Sequence, residues 1–395
     1  MKVWKKVLIL SMCMVTLLGF NVTYASAMQE NAEEKILNVY KNALLTGDIS
    51  EYDILLEKNE GTDVFKGFME WRVSLMDILD VNYSTFDYTV VKSLYEDSTI
   101  TVVFNEVHEY ENGAGQGSSC GLVMNVRYDA DNMNKIEEIS IENDEFYDYF
   151  IAEISEPQML SQLEDDFSME QKLENLKNEL NSLKEEMDES TENQVAREQI
   201  AQPSLLATTY TYSGNRGASY ANKYYSSANS YFYTATGRDC TNFVSQCIWA
   251  GYGGWNTSMS NSTMQSNITN NVRMTSTWFA GSGGGAPAWE NVDELWNYVV
   301  GNTGTGPKAV GYNNGGYYTD LLPIDIAVGD VLQRGSDGSD YSHSVYVVSV
   351  PGGSNPSYSE IVIAQHSGNM KRTVTELLAS GGKYLRQMQF KPNSF

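Results

Sequence analysis

The sequence predicts an α+β protein in which helices come first and an antiparallel sheet follows, an order that occurs twice along the chain. Helical spacing of apolar residues gives way to alternating β-branched runs within about 30–150, and the same succession returns in 210–395. The length of 395 residues, more than one hydrophobic core usually serves, points the same way.

Residues 1–27 are expected to lie outside the fold. Lys2, Lys5 and Lys6 precede an apolar run from Val7 to Phe20, and Ala25-Ser26-Ala27 supplies the small-residue cleavage pattern of a secretory signal peptide. The mature chain then starts near Met28. A lipoprotein anchored at Cys13 fits less well, because Met12 stands where such sites want a small residue. An uncleaved anchor fits poorly too, since the run is shorter than the ~20 residues that span a bilayer. No later segment has the length or apolarity to cross a membrane, so the expected product is secreted, with a cell-wall association open to it and no membrane partner after cleavage.

Residues 28–150 read as a small α+β region of unknown role. Ile36, Val39, Tyr40, Ala43 and Leu44 recur at helical spacing, and a second such stretch covers Val64 to Leu79. Alternating runs follow at Phe86 to Leu94, Ser98 to His108, Cys120 to Tyr128 and Lys135 to Ile141, with a hairpin loop at Asn112 to Gly117. His108, set among Glu106, Glu109 and Glu111, is expected on a solvated cross-strand position without chemistry.

Residues 158–200 read as one long acidic helix. Leu173, Leu176, Leu180, Leu183 and Met187 alternate spacings of three and four, the heptad pattern of a coiled coil. Two outcomes stay open: a homodimer through this helix, or packing on a neighbouring part of the chain. Gln202-Pro203-Ser204 ends it, and 201–209 form a linker.

In 210–395, helix signals cover Arg216 to Ser227, Asp239 to Gly251 and Trp289 to Val300. Strand signals cover Val328 to Gln333, His343 to Val350, Glu360 to His366 and Tyr384 to Phe390. Most of the tyrosines and tryptophans here are expected to pack a core.

Charge separates the two parts. Residues 1–209 hold 15 Lys+Arg and 40 Asp+Glu, which leaves 11 of each for 210–395, so the net charge of −25 belongs to the first part. No clustered basic surface offers itself to phosphates, which excludes nucleic acid as a partner.

The chemistry concentrates at Gly237-Arg238-Asp239-Cys240-Thr241-Asn242-Phe243-Val244-Ser245-Gln246-Cys247. Phe243, Val244, Cys247 and Ile248 share a helical face, and Asp239 or Thr241 can cap the start, so Cys240 falls in the first turn of a buried helix. The positive helix end and its unpaired N–H groups favour the nucleophilic thiolate and can steady an oxyanion beside it. Cys247 lies about 10.5 Å further along such a helix, too far for a disulfide. With Cys120 it leaves an odd number of cysteines in an exported chain, so at least one thiol is free or pairs between chains.

A cysteine nucleophile needs a base, and only His343 and His366 lie in the same region. His343 opens an apolar strand and is the expected base. His366 ends the next strand and, if the two strands are antiparallel neighbours, can reach the His343 ring and orient it, with Asn369 as the alternative. A zinc site from one Cys and two His is a weaker reading, because no CxxC or HExxH accompanies them.

Several pieces together resemble a known family: Asn215-Arg216, Ala218 to Tyr224, Asp239 to Cys247, Gly329-Asp330-Val331, His343 and Gln365-His366-Ser367. Residues 210–395 are similar to the putative amidase domain of secreted Gram-positive bacterial proteins, related to NlpC-type and CHAP-type cell-wall peptidases. The resemblance implies a papain-like, NlpC-like fold with N-terminal helices and an antiparallel sheet, and a Cys-His-polar triad at Cys240, His343 and His366. It further implies cofactor-free cleavage of an amide bond in peptidoglycan or a peptide, through an acyl-enzyme on Cys240. The alternative is a non-catalytic wall- or peptide-binding protein, or an adhesion protein assembled by its coiled coil.

Overall fold

The computed structural model describes residues 32–129, 132, 134–155, 168–192, 210–235, 238–313, 321–352, 356–382 and 384–395. The expected leader, the linker 201–209 and both ends of the predicted long helix lie outside the described residues.

Helices α1 (32–46), α2 (Ser50–Leu55) and α3 (Glu60–Ile78) open the chain. A capping box starts α3: Asn59 accepts from the Thr62 amide while the Thr62 hydroxyl accepts from the Asn59 amide. Strands β1 (Tyr83–Glu96), β2 (Thr99–Tyr110), β3 (Gln116–Tyr128) and β4 (Ile136–Glu142) then form an antiparallel meander. Asp144 accepts from the Phe146 amide and so begins α4 (Glu145–Ser155). Helix α5 (Met169–Glu192) turns Leu173, Leu176, Leu180, Leu183 and Met187 into the chain's own core against α3. Lys184 pins it to Asp80 at 2.8 Å.

The remainder begins with α6 (Gly214–Tyr224), α7 (Cys240–Gly251), α8 (Asn261–Thr269), α9 (Pro287–Glu290) and α10 (Val292–Gly301), with a short ladder of β5 (Ala280–Gly281) and β6 (Gly284–Gly285) between α8 and α9. It continues with β7 (Lys308–Asn313), β8 (Val331–Gly335), β9 (Tyr341–Ser349), β10 (Val362–Gln365), β11 (Met370–Thr373), α11 (Val374–Ala379) and β12 (Tyr384–Lys391). The class is α+β with a large antiparallel sheet. Gly217 lets α6 approach β9, because a Cβ there would lie 1.9 Å from the Tyr346 hydroxyl.

The two regions that charge and composition separate share one sheet. Its order is β1-β2-β3-β11-β10-β9-β8-β12-β7, with β4 also on β3, and the join is the pair Ser118↔Lys371. Alternation along the C-terminal strands serves two cores. Val345, Val347, Leu332, Ile363 and Leu385 join the core built by α1–α5, whereas Tyr346, Val331, Ala364 and Met388 join the aromatic core under α6 and α7. Polar bonds cross the join as well: Glu376 of α11 accepts from the hydroxyls of Tyr83 and Tyr110 and pairs with Arg72 at 3.5 Å.

One expectation is corrected here. His108 is not solvated but buried, lying over Tyr83 with ring centroids 4.0 Å apart and stacked against Phe86. Glu109 points to the other face and Glu111 follows the strand, whereas Glu106 shares the buried face with His108, and the rings packed on His108 are aromatic. Burial without a hydrogen-bond partner for either ring nitrogen lowers its pKa to about 4, so the ring is neutral.

Candidate active site

Helix α7 carries Cys240 as its first residue and is buried along its whole length. Asp239 occupies the N-cap position, but its carboxylate does not cap the helix. It accepts from the Ala235 amide and the Asn242 side-chain amide, both at 2.8 Å, and pairs with His366 Nδ1 at 2.5 Å. The helix start is therefore held from outside, and the first-turn N–H groups beside Cys240 are not taken up by that side chain.

The Cys240 thiol sits against β9. Burial pushes its pKa up, but the hydrogen bond and charge of His343, the backbone N–H of Ser344 and the Thr241 hydroxyl outweigh burial and bring the pKa down to about 7. Thr241 in turn bonds the Ser344 hydroxyl at 3.0 Å, and Gln333 donates to Ser344 at the same distance, so the strand and the helix are tied on both sides of the thiol. Cys247 behaves otherwise: burial alone drives its thiol well above the ordinary range. The three cysteines of the described residues are all free.

His343 Nε2 lies 3.0 Å from Gln365 Oε1. With that nitrogen engaged, Nδ1 is the one left to meet the sulfur. The expected contact from His366 to the His343 ring is not made. Both His366 nitrogens are engaged elsewhere, Nδ1 by Asp239 and Nε2 by the Tyr224 carbonyl at 2.7 Å, and the ring stacks on Phe243. The reason is strand parity. Register Ala364↔Tyr346 puts Gln365 on the face of Val345 and His343, and neighbouring residues of a strand point to opposite faces. Asn369, the alternative orienter, sits in a left-handed conformation (φ 46°) on the turn after His366 and lines a cavity of about 440 Å³ with His366, Arg238 and Cys120.

Sequence reasoning missed Gln365, although that residue stands in the quoted Gln365-His366-Ser367 run. It also missed the two groups behind it. Gln365 Nε2 donates to Glu145 Oε1 at 2.9 Å and to the Ser367 carbonyl at 2.6 Å, and Arg372 bridges Glu145 Oε2 at 2.6 Å and Gln365 Oε1 at 3.2 Å. Among the described residues, no group of three or more His, Cys, Asp or Glu stands close enough to hold a metal ion.

The arrangement is a thiol with a lowered pKa at a helix N-terminus, an imidazole beside it and an amide holding the imidazole. Residues 211–389 match the family model of the putative amidase domain, an assignment that indicates amide-bond hydrolysis. No curated protein and no solved structure matches the chain.

Proposed function

We propose that this chain is a secreted cysteine-dependent amidase that cleaves amide bonds of cell-wall peptidoglycan through an acyl-enzyme on Cys240. The observation that carries the mechanism is the Cys240 thiol, brought down to about 7 by His343 despite its burial. A thiolate of that pKa is available at neutral pH, and it attacks the scissile carbonyl while His343 Nδ1 holds the thiol proton. The first-turn N–H groups of α7 are placed to stabilise the oxyanion. His343 then gives its proton to the leaving amine, the amide bond breaks, and water activated by the same nitrogen releases the acyl group and restores the thiol.

Substrate and location rest on the leader pattern at 1–27 and on the resemblance to cell-wall peptidases; a secreted peptide is the alternative substrate. The test is digestion of purified peptidoglycan by the full mature chain, with products read by mass spectrometry. New amino groups should appear, iodoacetamide should stop their release, and release that survives Cys240→Ala overturns the mechanism.

A further inference from the structure

Glu145 belongs to α4, in the acidic first part of the chain and outside the matched residues 211–389, yet it reaches the Cys240 site. Its carboxylate meets Gln365 and Arg372 at 2.9 and 2.6 Å. We propose that Glu145 is a positioning residue for His343: it fixes which way round the Gln365 amide sits, and thereby which nitrogen of the imidazole carries the proton. This deepens the cysteine-hydrolase reading and rests on it.

The chemistry of donors and acceptors makes the case. A carboxylate and a backbone carbonyl can only accept, so the Gln365 NH₂ group must face Glu145 and Ser367. Arg372 can only donate, and it faces Gln365 Oε1. Gln365 therefore turns its carbonyl to His343 Nε2, which must donate. A neutral His343 then carries its proton on Nε2 and offers the Nδ1 lone pair to the Cys240 thiol, the tautomer a base needs. Burial raises the Glu145 carboxyl, but Arg372, His343 and Arg334 together hold its pKa below the usual range, which keeps it an anion. Parity explains why an N-terminal helix can do this: His343 and Gln365 share the sheet face that α1–α5 cover.

The charged and titratable groups around the ring are Cys240 of α7, Arg334 of β8, Arg372 of β11 and Glu145 of α4. Of these, Glu145 is the acceptor-only group that meets the Gln365 amide.

The experiment is long-range ¹H–¹⁵N NMR of the full chain labelled in histidine, with His343 assigned through His343→Gln. In the wild type the neutral ring should be protonated at Nε2; protonation at Nδ1 overturns the proposal and does not depend on any variant folding. In Glu145→Gln, where only the Ser367 carbonyl and Arg372 are left to orient the Gln365 amide, Nδ1–H should appear beside Nε2–H. A folded Glu145→Gln with the wild-type tautomer overturns it too. Adding Gln365→Glu to that variant puts an acceptor-only carboxylate against the ring and should restore Nε2–H alone. Because none of these signals needs turnover, they stay separate from the Cys240→Ala test: wall cleavage surviving that variant sinks the mechanism, whereas an unmoved His343 signal sinks only the role of Glu145.

Discussion

Two buried histidines meet the start of one helix, His343 at Cys240 and His366 at Asp239, but they sit in different kinds of surroundings. Around His366 every polar atom is spoken for: a carboxylate on Nδ1, a carbonyl on Nε2 and the Phe243 ring on its face. Around His343 one nitrogen is held by an amide and the other faces a thiol that can give up a proton. Closed satisfaction makes a strut; a half-closed set makes a base. The strut still serves the site, because Asp239, which it holds, is the residue before Cys240.

The largest effect expected from this contrast comes from His343→Ala. Wall-hydrolysing activity should fall by about 10³-fold or more, as it does when a member of a nucleophile-base pair is removed, with the melting temperature little changed. His366→Ala should reverse the balance. It leaves the buried Asp239 carboxylate with only the Ala235 and Asn242 donors, a loss of about 1–3 kcal/mol in denaturant unfolding, while kcat per folded molecule declines far less. If the two variants lose activity and stability in the same proportion, the division between base and strut fails.

Gln365→Ala sharpens the comparison at a smaller scale. It frees the His343 ring without removing it, so activity should drop about 10- to 100-fold, in line with losing the outer partner of a functional imidazole. Hydrolysis assays alongside an unchanged circular dichroism spectrum would check it.

The smallest effect is one of reactivity rather than turnover. Labelling of Cys240 by iodoacetamide should rise with pH to half its maximum near pH 7, because the thiolate is the reactive form and the folded thiol titrates at about 7. Cys247, whose thiol burial pushes far up, should label only after unfolding. Mass mapping of the two peptides between pH 5 and 9 distinguishes them, and Cys247 labelling in parallel with Cys240 would contradict the packing of α7.

Much of this was legible in the amino-acid order. The period of the apolar residues located α1, α3, α6, α7, α10, β1–β4, β8–β10 and β12 to within a few residues, since a helix or a strand must bury one face, but it gave no sign of α2, α4, α8, β7, β11 or α11. Cys240 was readable as the first residue of a buried helix, because the apolar set Phe243, Val244, Cys247 and Ile248 fixes the helix register by itself. His343 could be reached by elimination, as chemistry of this kind needs a base and few histidines exist.

What the order of residues could not decide was which side chains face one another across strands and between distant segments. Gln365 and His366 are adjacent in sequence but point to opposite faces, and only the pairing of β10 with β9 assigns each to its face. His108 reads as one residue among glutamates, yet packing surrounds it with aromatic rings. Glu145 lies 220 positions from Gln365, so its bond to that amide exists only because the meander and the C-terminal strands close into one sheet. Local periodicity determined most of the elements and the place of Cys240 at a helix start; register and long-range closure, which depend on contacts between segments far apart in the chain, decided the company His343 keeps.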